Sequence, residues 1–153
     1  MKSSFVIGLI LLQTCCIEMI GHCVDDSAQF FSVKEILDSC GIPGPCDVAR
    51  GCEGRIVRVK GHIDYDNIFD KITYPHLPYE KFTIRDRNGK SIEVWIGSKD
   101  SREIFSAIRR HKSLPEKMVH LEGEIVGFDM PIMGECHRGI KIQLAGAEKI
   151  FFK

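Results

Sequence analysis

From Arg55 onward the apolar residues of this chain alternate. In "RIVRVKGHIDY", Val57, Val59, Gly61 and Ile63 fall on one side and Arg58, Lys60 and His62 on the other, the period-two signature of a half-buried strand. The alternation returns in "KFTIRD", where Phe82 and Ile84 interleave with Lys81, Thr83 and Arg85, and in "KSIEVWIG", where Ile92, Val94 and Ile96 point inward. Asn88-Gly89 between those two runs is a strong hairpin signal, so they are predicted to pair. Two more strands are predicted: "MVHLEGEIVG", with Val119, Leu121, Gly123 and Ile125 on one face, and "GIKIQLAG", with Ile140, Ile142 and Leu144. The ending "AEKIFFK" reads as a short final strand or an arm.

Two stretches carry helical spacing instead. Ser32 and Glu35 form an S-x-x-E capping box for a short helix from Val33 to about Ser39, with Val33, Ile36 and Leu37 on one face and Gly41 as its stop. Asp100 and Glu103 offer a similar start for "SREIFSAIRRH", whose stripe is Ile104, Phe105 and Ile108, and Pro115 closes it. Between the elements lie three irregular segments: the leader "VDDSAQFF", the long loop "DNIFDKITYPHLPYE" and the loop "FDMPIMGECHR".

Composition narrows the class. At 153 residues, 44% apolar and 27% charged, the chain has material for one domain with its own core. The start "MKSSFVIGLILLQTCCIEMIGHC" has Lys2 and then the apolar run Phe5 to Leu12, the layout of a secretory signal peptide and too short for a membrane span. Cleavage after Cys23 fits the small-residue rule with Gly21 and Cys23; cleavage after Cys16 would use Thr14 and Cys16, and an uncleaved anchor is the remaining option. A lipoprotein site fits less well, because Thr14, Cys15 and His22 precede the cysteines. The expected organisation is thus a signal peptide over 1–23, a helix and cysteine-rich segment over 24–54, and a β domain over 55–153. The mature chain is expected to be secreted or periplasmic and to carry no stable membrane span.

Charge and cysteines follow from that cut. Acids and bases balance at 21 each, and removing Lys2 and Glu18 keeps the balance. A neutral chain lacks the broad basic field of a non-specific nucleic-acid binder, although a local groove can still be positive. Four cysteines remain, Cys40, Cys46, Cys52 and Cys136. An even number in an oxidising compartment makes disulfides the default, with three pairings open. The spacing in "CGIPGPCDVARGC" lacks the C-x2-C pairs of a zinc site, so metal binding and free thiols are the lesser options.

The runs "VRVKGHI" and "VHLEGEI" share the pattern apolar-x-apolar-x-Gly-x-Ile, and a mid-strand glycine suits a strand that must bend around a barrel. The order strand, long loop, strand, tight hairpin, strand, helix, strand, loop, strand resembles the OB-fold over Arg55 to about Leu144: an all-β protein with one or two short helices, built as a five-stranded Greek-key barrel. An SH3-like barrel lacks a full helix at that place, and a ferredoxin-like sandwich wants one after the first strand. The resemblance implies that strand one pairs with strand four. That in turn implies a disulfide from Cys52 to Cys136, with Cys40 to Cys46 closing the Gly-Pro turn.

The same resemblance places a ligand across strands two and three, where Thr83, Arg85, Glu93 and Trp95 face outward. Trp95 is the single tryptophan; it would stack a base or a sugar unless the N-terminal helix, Phe30, Phe31 or another subunit covers it. The long loop adds Tyr65, Phe69, Tyr74, His76 and Tyr79, of which Tyr74 and His76, flanking Pro75, are the expected exposed pair. "MPIMGECH" gathers Met130, Met133, Cys136 and His137, soft donors suited to Cu(I), and is similar in its ingredients to small periplasmic copper chaperones on an OB-fold. Arg85, Asp86, Arg87 and Glu93 are the residue types of a staphylococcal-type OB-fold nuclease without its spacing, and Asp64, Asp66 and Asp70 lack the glycine and distal glutamate of a calcium loop. No Ser or Cys nucleophile sits in a recognisable frame with a His. The expectation is a non-enzymatic binding module without a cofactor, taking an oligonucleotide, a glycan or a protein. A copper-binding protein and a calcium-dependent nuclease are the alternatives.

Overall fold

The computed structural model describes residues 29–97, 99–113 and 118–153. The expected leader with its cleavage sites lies outside the described residues, and so does Pro115. The elements are β1 (Phe31–Ser32), α1 (Val33–Cys40), β2 (Ile56–Phe69), β3 (Glu80–Arg85), β4 (Ser91–Ile96), α2 (Ser101–His111), β5 (Met118–Ile132), β6 (Glu135–Leu144), a 3-10 turn (Ala147–Lys149) and β7 (Ile150–Phe152). Among the described residues no helix is long and apolar enough to cross a membrane.

Five strands close a ring. β2 pairs antiparallel with β3, β3 with β4, β4 in parallel with β6, and β6 antiparallel with β5. β5 then returns to β2 in a continuous register from Ile56↔Glu124 to His62↔Met118. With α2 between the third and fourth strands of the ring, this is the order of the OB-fold. β2 and β5 are long because each serves two neighbours: their first halves pair with one another, and their second halves pair with β3 and β6. β1 adds beside β2 in parallel, and β7 adds beside β5.

The alternation read along the chain sets what lies inside. Val59, Ile63, Phe82, Ile84, Val94, Leu121, Ile125 and Ile142 are buried in the ring, each contributing roughly 1.5–3 kcal/mol by leaving water. Both helices are amphipathic and turn one face to this core, α1 through Val33 and Ile36, α2 through Ile104, Phe105 and Ile108. The capping box of α1 is formed: Ser32 Oγ accepts from Glu35 N at 3.2 Å, and Glu35 Oε2 accepts from Ser32 N at 2.6 Å. The one expected at Asp100 is not. That residue has φ −104° and ψ −5°, helical rather than extended backbone, and its side chain caps nothing.

The two expected loops are partly strand. β2 continues to Phe69 past an irregularity between Asp64 and Ile68, which shifts its register against β3. "FDMPIMGECHR" is not a loop but the far end of the β5–β6 hairpin, paired out to Ile132↔Glu135. Its two-residue turn, Met133-Gly134, has φ of +51° and +86°, the left-handed pair that a tight hairpin needs.

That hairpin corrects the expected disulfides. The bridges are Cys40–Cys52 and Cys46–Cys136. Gly54 N donates to Ile125 O at 2.8 Å, which fixes Cys52 near the base of the hairpin, whereas Cys136 pairs with Pro131 close to its tip. The 43–46 segment lies against that tip: Arg138 N donates to Gly44 O at 2.9 Å, Cys46 N to Cys136 O at 3.3 Å, and Pro45 bridges His137. Cys46 is therefore the cysteine within reach of Cys136. Cys40, the buried last residue of α1, meets the buried Cys52.

Candidate functional site

The outer face of β3 and β4 is set by their register. Lys81 stands opposite Trp95, Thr83 opposite Glu93, and Arg85 opposite Ser91, while Phe82, Ile84, Ile92 and Val94 go inward. β2 continues the face through Asp64, opposite Thr83, and Phe69, opposite Lys81. On the other side β6 runs parallel to β4 with Gln143 beside Trp95, so Lys141, two residues earlier, shares the outer face.

On this surface two ammonium groups lie among a row of aromatic rings. Lys141 Nζ lies 5.6 Å from the Phe128 centroid and 3.3 Å from that of Trp95. Tyr79 stacks on Trp95 with centroids 4.5 Å apart and planes 24° from parallel. Lys81 Nζ is 5.5 Å from Tyr79 and 5.2 Å from Phe69, and Phe69 meets Tyr74 at 5.9 Å. Tyr79 approaches Trp95 from the β3 side and Lys141 from the β6 side. At these two distances they would overlap on one face of the indole, so they occupy opposite faces. Trp95 is outward, but its faces are already filled by neighbours other than the N-terminal helix or Phe30 and Phe31.

The two lysines differ electrostatically. Lys81 Nζ pairs with Glu93 Oε1 at 2.5 Å, and the other oxygen of that carboxylate accepts from Trp95 Nε1 at 2.8 Å. Lys141 joins none of the ion pairs among the described residues. Burial, with a smaller repulsion from Lys81, lowers its pKa from the ordinary lysine value, and the attraction of Glu93 opposes that shift.

The loop that carries Tyr74 is organised by Asp70. The Asp70 carboxylate is buried, accepts from Ile72 N at 2.9 Å and Thr73 N at 2.8 Å, and pairs with Arg109 of α2 at 2.8 Å. Tyr74 N returns to Asp70 O at 2.8 Å, leaving the Tyr74 ring 48% exposed at the end of the row. His76 is exposed on the same loop and makes none of the ring contacts of the row. Arg85, also on the outer face, pairs with Asp64 at 2.5 Å.

Trp95, Thr83, Arg85 and Tyr74 thus share one surface with residues that pattern reading did not select. Phe128 sat in an expected loop, and Lys141 was one more outward residue of the last barrel strand. The signal for both is positional: each becomes readable once the hairpin register is known. Of the soft donors, Met130 and His137 are cross-strand partners, Met133 projects from the turn, fully exposed, and Cys136 is in a disulfide. The acids of the nuclease alternative are engaged separately, Glu93 with Lys81 and Asp86 with the backbone of Lys34, Asn88 and Lys90, and of the acids compared with a calcium loop Asp64 pairs with Arg85 and Asn67 and Asp70 with Arg109. Among the described residues no group of three His, Cys, Asp or Glu side chains is placed to hold a metal ion.

No protein-family model and no curated protein matches the chain. Among solved structures, the chain is similar to a mitochondrial single-stranded DNA binding protein from S. cerevisiae, Rim1, at 11% identity and a TM-score of 0.40, over 65% of this chain and 94% of that one.

Proposed function

We propose that this chain is an exported, non-enzymatic binding module that holds a single-stranded oligonucleotide on the outer face of β2, β3, β4 and β6. The observation that carries the reading is the row itself, in which Lys81 and Lys141 are interleaved with Phe69, Tyr79, Trp95 and Phe128. A ligand matched to it needs flat faces for the rings and an anionic group for the Lys141 ammonium, unpaired among the described ion pairs, and a single strand has both. Stacking of this kind is worth about 1–3 kcal/mol per base. Because both faces of Trp95 are filled, the stacking surfaces are Tyr74, Phe69 and Phe128, and Trp95 is the framework and the natural reporter. The neutral chain makes binding depend on the local face rather than on a long-range field.

Export rests on the leader pattern of residues 1–23 and on two disulfides, which belong to an oxidising compartment. The mature protein then starts at Val24, with 24–54 fastening the barrel of 55–153. The test is fluorescence anisotropy of a labelled oligothymidylate of about 15 nucleotides, read together with Trp95 emission and competed by duplex DNA, a neutral glycan and a sulfated glycan. Saturable binding that shifts the emission and prefers the single strand is expected. Absence of binding at low salt, or preference for the sulfated glycan, would overturn the reading.

A further inference from the structure

The row contains two lysines of similar position and different circumstance. Lys81 has a carboxylate at 2.5 Å, its side chain is 15% exposed, and three rings surround its ammonium within 5.9 Å. Its charge is satisfied by the protein. Lys141 has no carboxylate partner among the described ion pairs, and its ammonium lies over the π faces of Trp95 and Phe128. A ring attracts a cation through its quadrupole but supplies no hydrogen-bond acceptor of ordinary strength, so the ammonium keeps donors to spare.

We infer that the face is divided, with Lys141, caged by Trp95 and Phe128, receiving the ligand's anionic group, and the Lys81–Glu93 pair holding the row together without binding an anion. This rests on the oligonucleotide reading and goes further by assigning the phosphate contact to one end of the row. Trp95 takes part indirectly. Stacked on Tyr79 and hydrogen-bonded to Glu93, it is a fixed wall that holds the Lys141 side chain in one place before any ligand arrives. A cation immobilised in advance loses less rotamer freedom when its anion binds. The phosphate therefore sits on the β5–β6 side of the face, and the bases run from there toward Phe69 and Tyr74.

Salt dependence separates the two lysines. Each phosphate neutralised on a single strand contributes about −0.7 to the slope of log K against log salt. For the labelled oligothymidylate, Lys141→Met should flatten that slope by about 0.7 and weaken binding at low salt about tenfold, with Lys141→Arg keeping the slope of the parent. The charge-neutral double substitution Lys81→Met with Glu93→Gln should leave the slope unchanged. An unchanged slope in Lys141→Met, or an equal flattening in the double variant, would sink the division while leaving the oligonucleotide reading intact. If the parent protein binds no single strand, both fall together.

Discussion

Arg138 lays its guanidinium on Glu53 across 85 positions of sequence, Nε to Oε1 at 3.0 Å and Nη2 to Oε2 at 2.7 Å, while Nη1 reaches Asp129 at 2.8 Å. A forked pair of this kind clamps the cysteine-rich segment onto the β5–β6 hairpin. Hydrogen bonds from Arg138, then from the Arg50 backbone, hold the Glu53 carboxyl down at about 2 from an ordinary value of 4.5. A carboxyl depressed in the folded state stabilises it in full above the ordinary value, and that contribution drains away as pH falls from there through about 2. Urea denaturation of Glu53→Gln against the parent should therefore show a deficit of about 1–2 kcal/mol at neutral pH that closes toward the acid end of this window. A deficit independent of pH would remove the ion pair as its source.

The two disulfides differ in access. Cys40 and Cys52 are 6% and 0% exposed, whereas Cys136 is exposed at the hairpin tip. Thiolate attack requires access to a sulfur, so graded reduction followed by alkylation and peptide mapping should label Cys46 and Cys136 first. Replacing both by serine should cost about 2–4 kcal/mol, because that bridge closes the larger loop. Early labelling of Cys40 and Cys52, or a map joining Cys52 to Cys136, would contradict the connectivity.

The rhyming glycines are not equivalent. A Cβ on Gly123 would lie 2.6 Å from Gln143 O and 2.6 Å from Ile142 Cγ2, while one on Gly61 would lie 3.1 Å from Arg85 O. Backbone cannot yield as a flexible side-chain tip does, so Gly123→Ala should destabilise by roughly 2–3 kcal/mol and Gly61→Ala by less. Thermal melts that rank them in the opposite order would refute the close approach of β6 to β5 at that point.

Asp70 links the fold to the proposed binding face. Asp70→Asn keeps the shape but removes the charge that Arg109 meets, and it weakens the acceptor for two backbone donors. A loss of about 2–4 kcal/mol is expected, together with a loosened Tyr74. Oligonucleotide affinity measured well below the melting temperature should fall, although Asp70 itself lies buried under the loop. Unaltered affinity in a destabilised variant would place Tyr74 outside the site.

The ring of strands is legible in the sequence because its strands alternate strictly. Val57 to Ile63, Phe82 and Ile84, Ile92 to Ile96, and Val119 to Ile125 each announce an inward face, and Asn88-Gly89 announces the tight hairpin. The ends of the elements are less legible. Met133-Gly134 is not one of the common pairs for its turn, and Pro131 discourages a strand reading, so the long hairpin hides as a loop. The disulfide pairing depended on that hairpin and went with it. The outward position of Trp95 follows from alternation alone, but its contacts with Tyr79 and Lys141 depend on which strands become neighbours across the ring. The parallel pairing of β4 with β6 joins residues 48 apart, and no local pattern encodes it.

The closing seam has a temporal meaning. β2 cannot complete its pairing until residues 118–124 exist to receive it, and the outer bridge waits until Cys136. A chain emerging in order from a ribosome therefore cannot close its ring of strands until nearly the whole length has appeared. Until then β2, β3 and β4 can pair with one another, but the edges that receive β5 and β6 stay open.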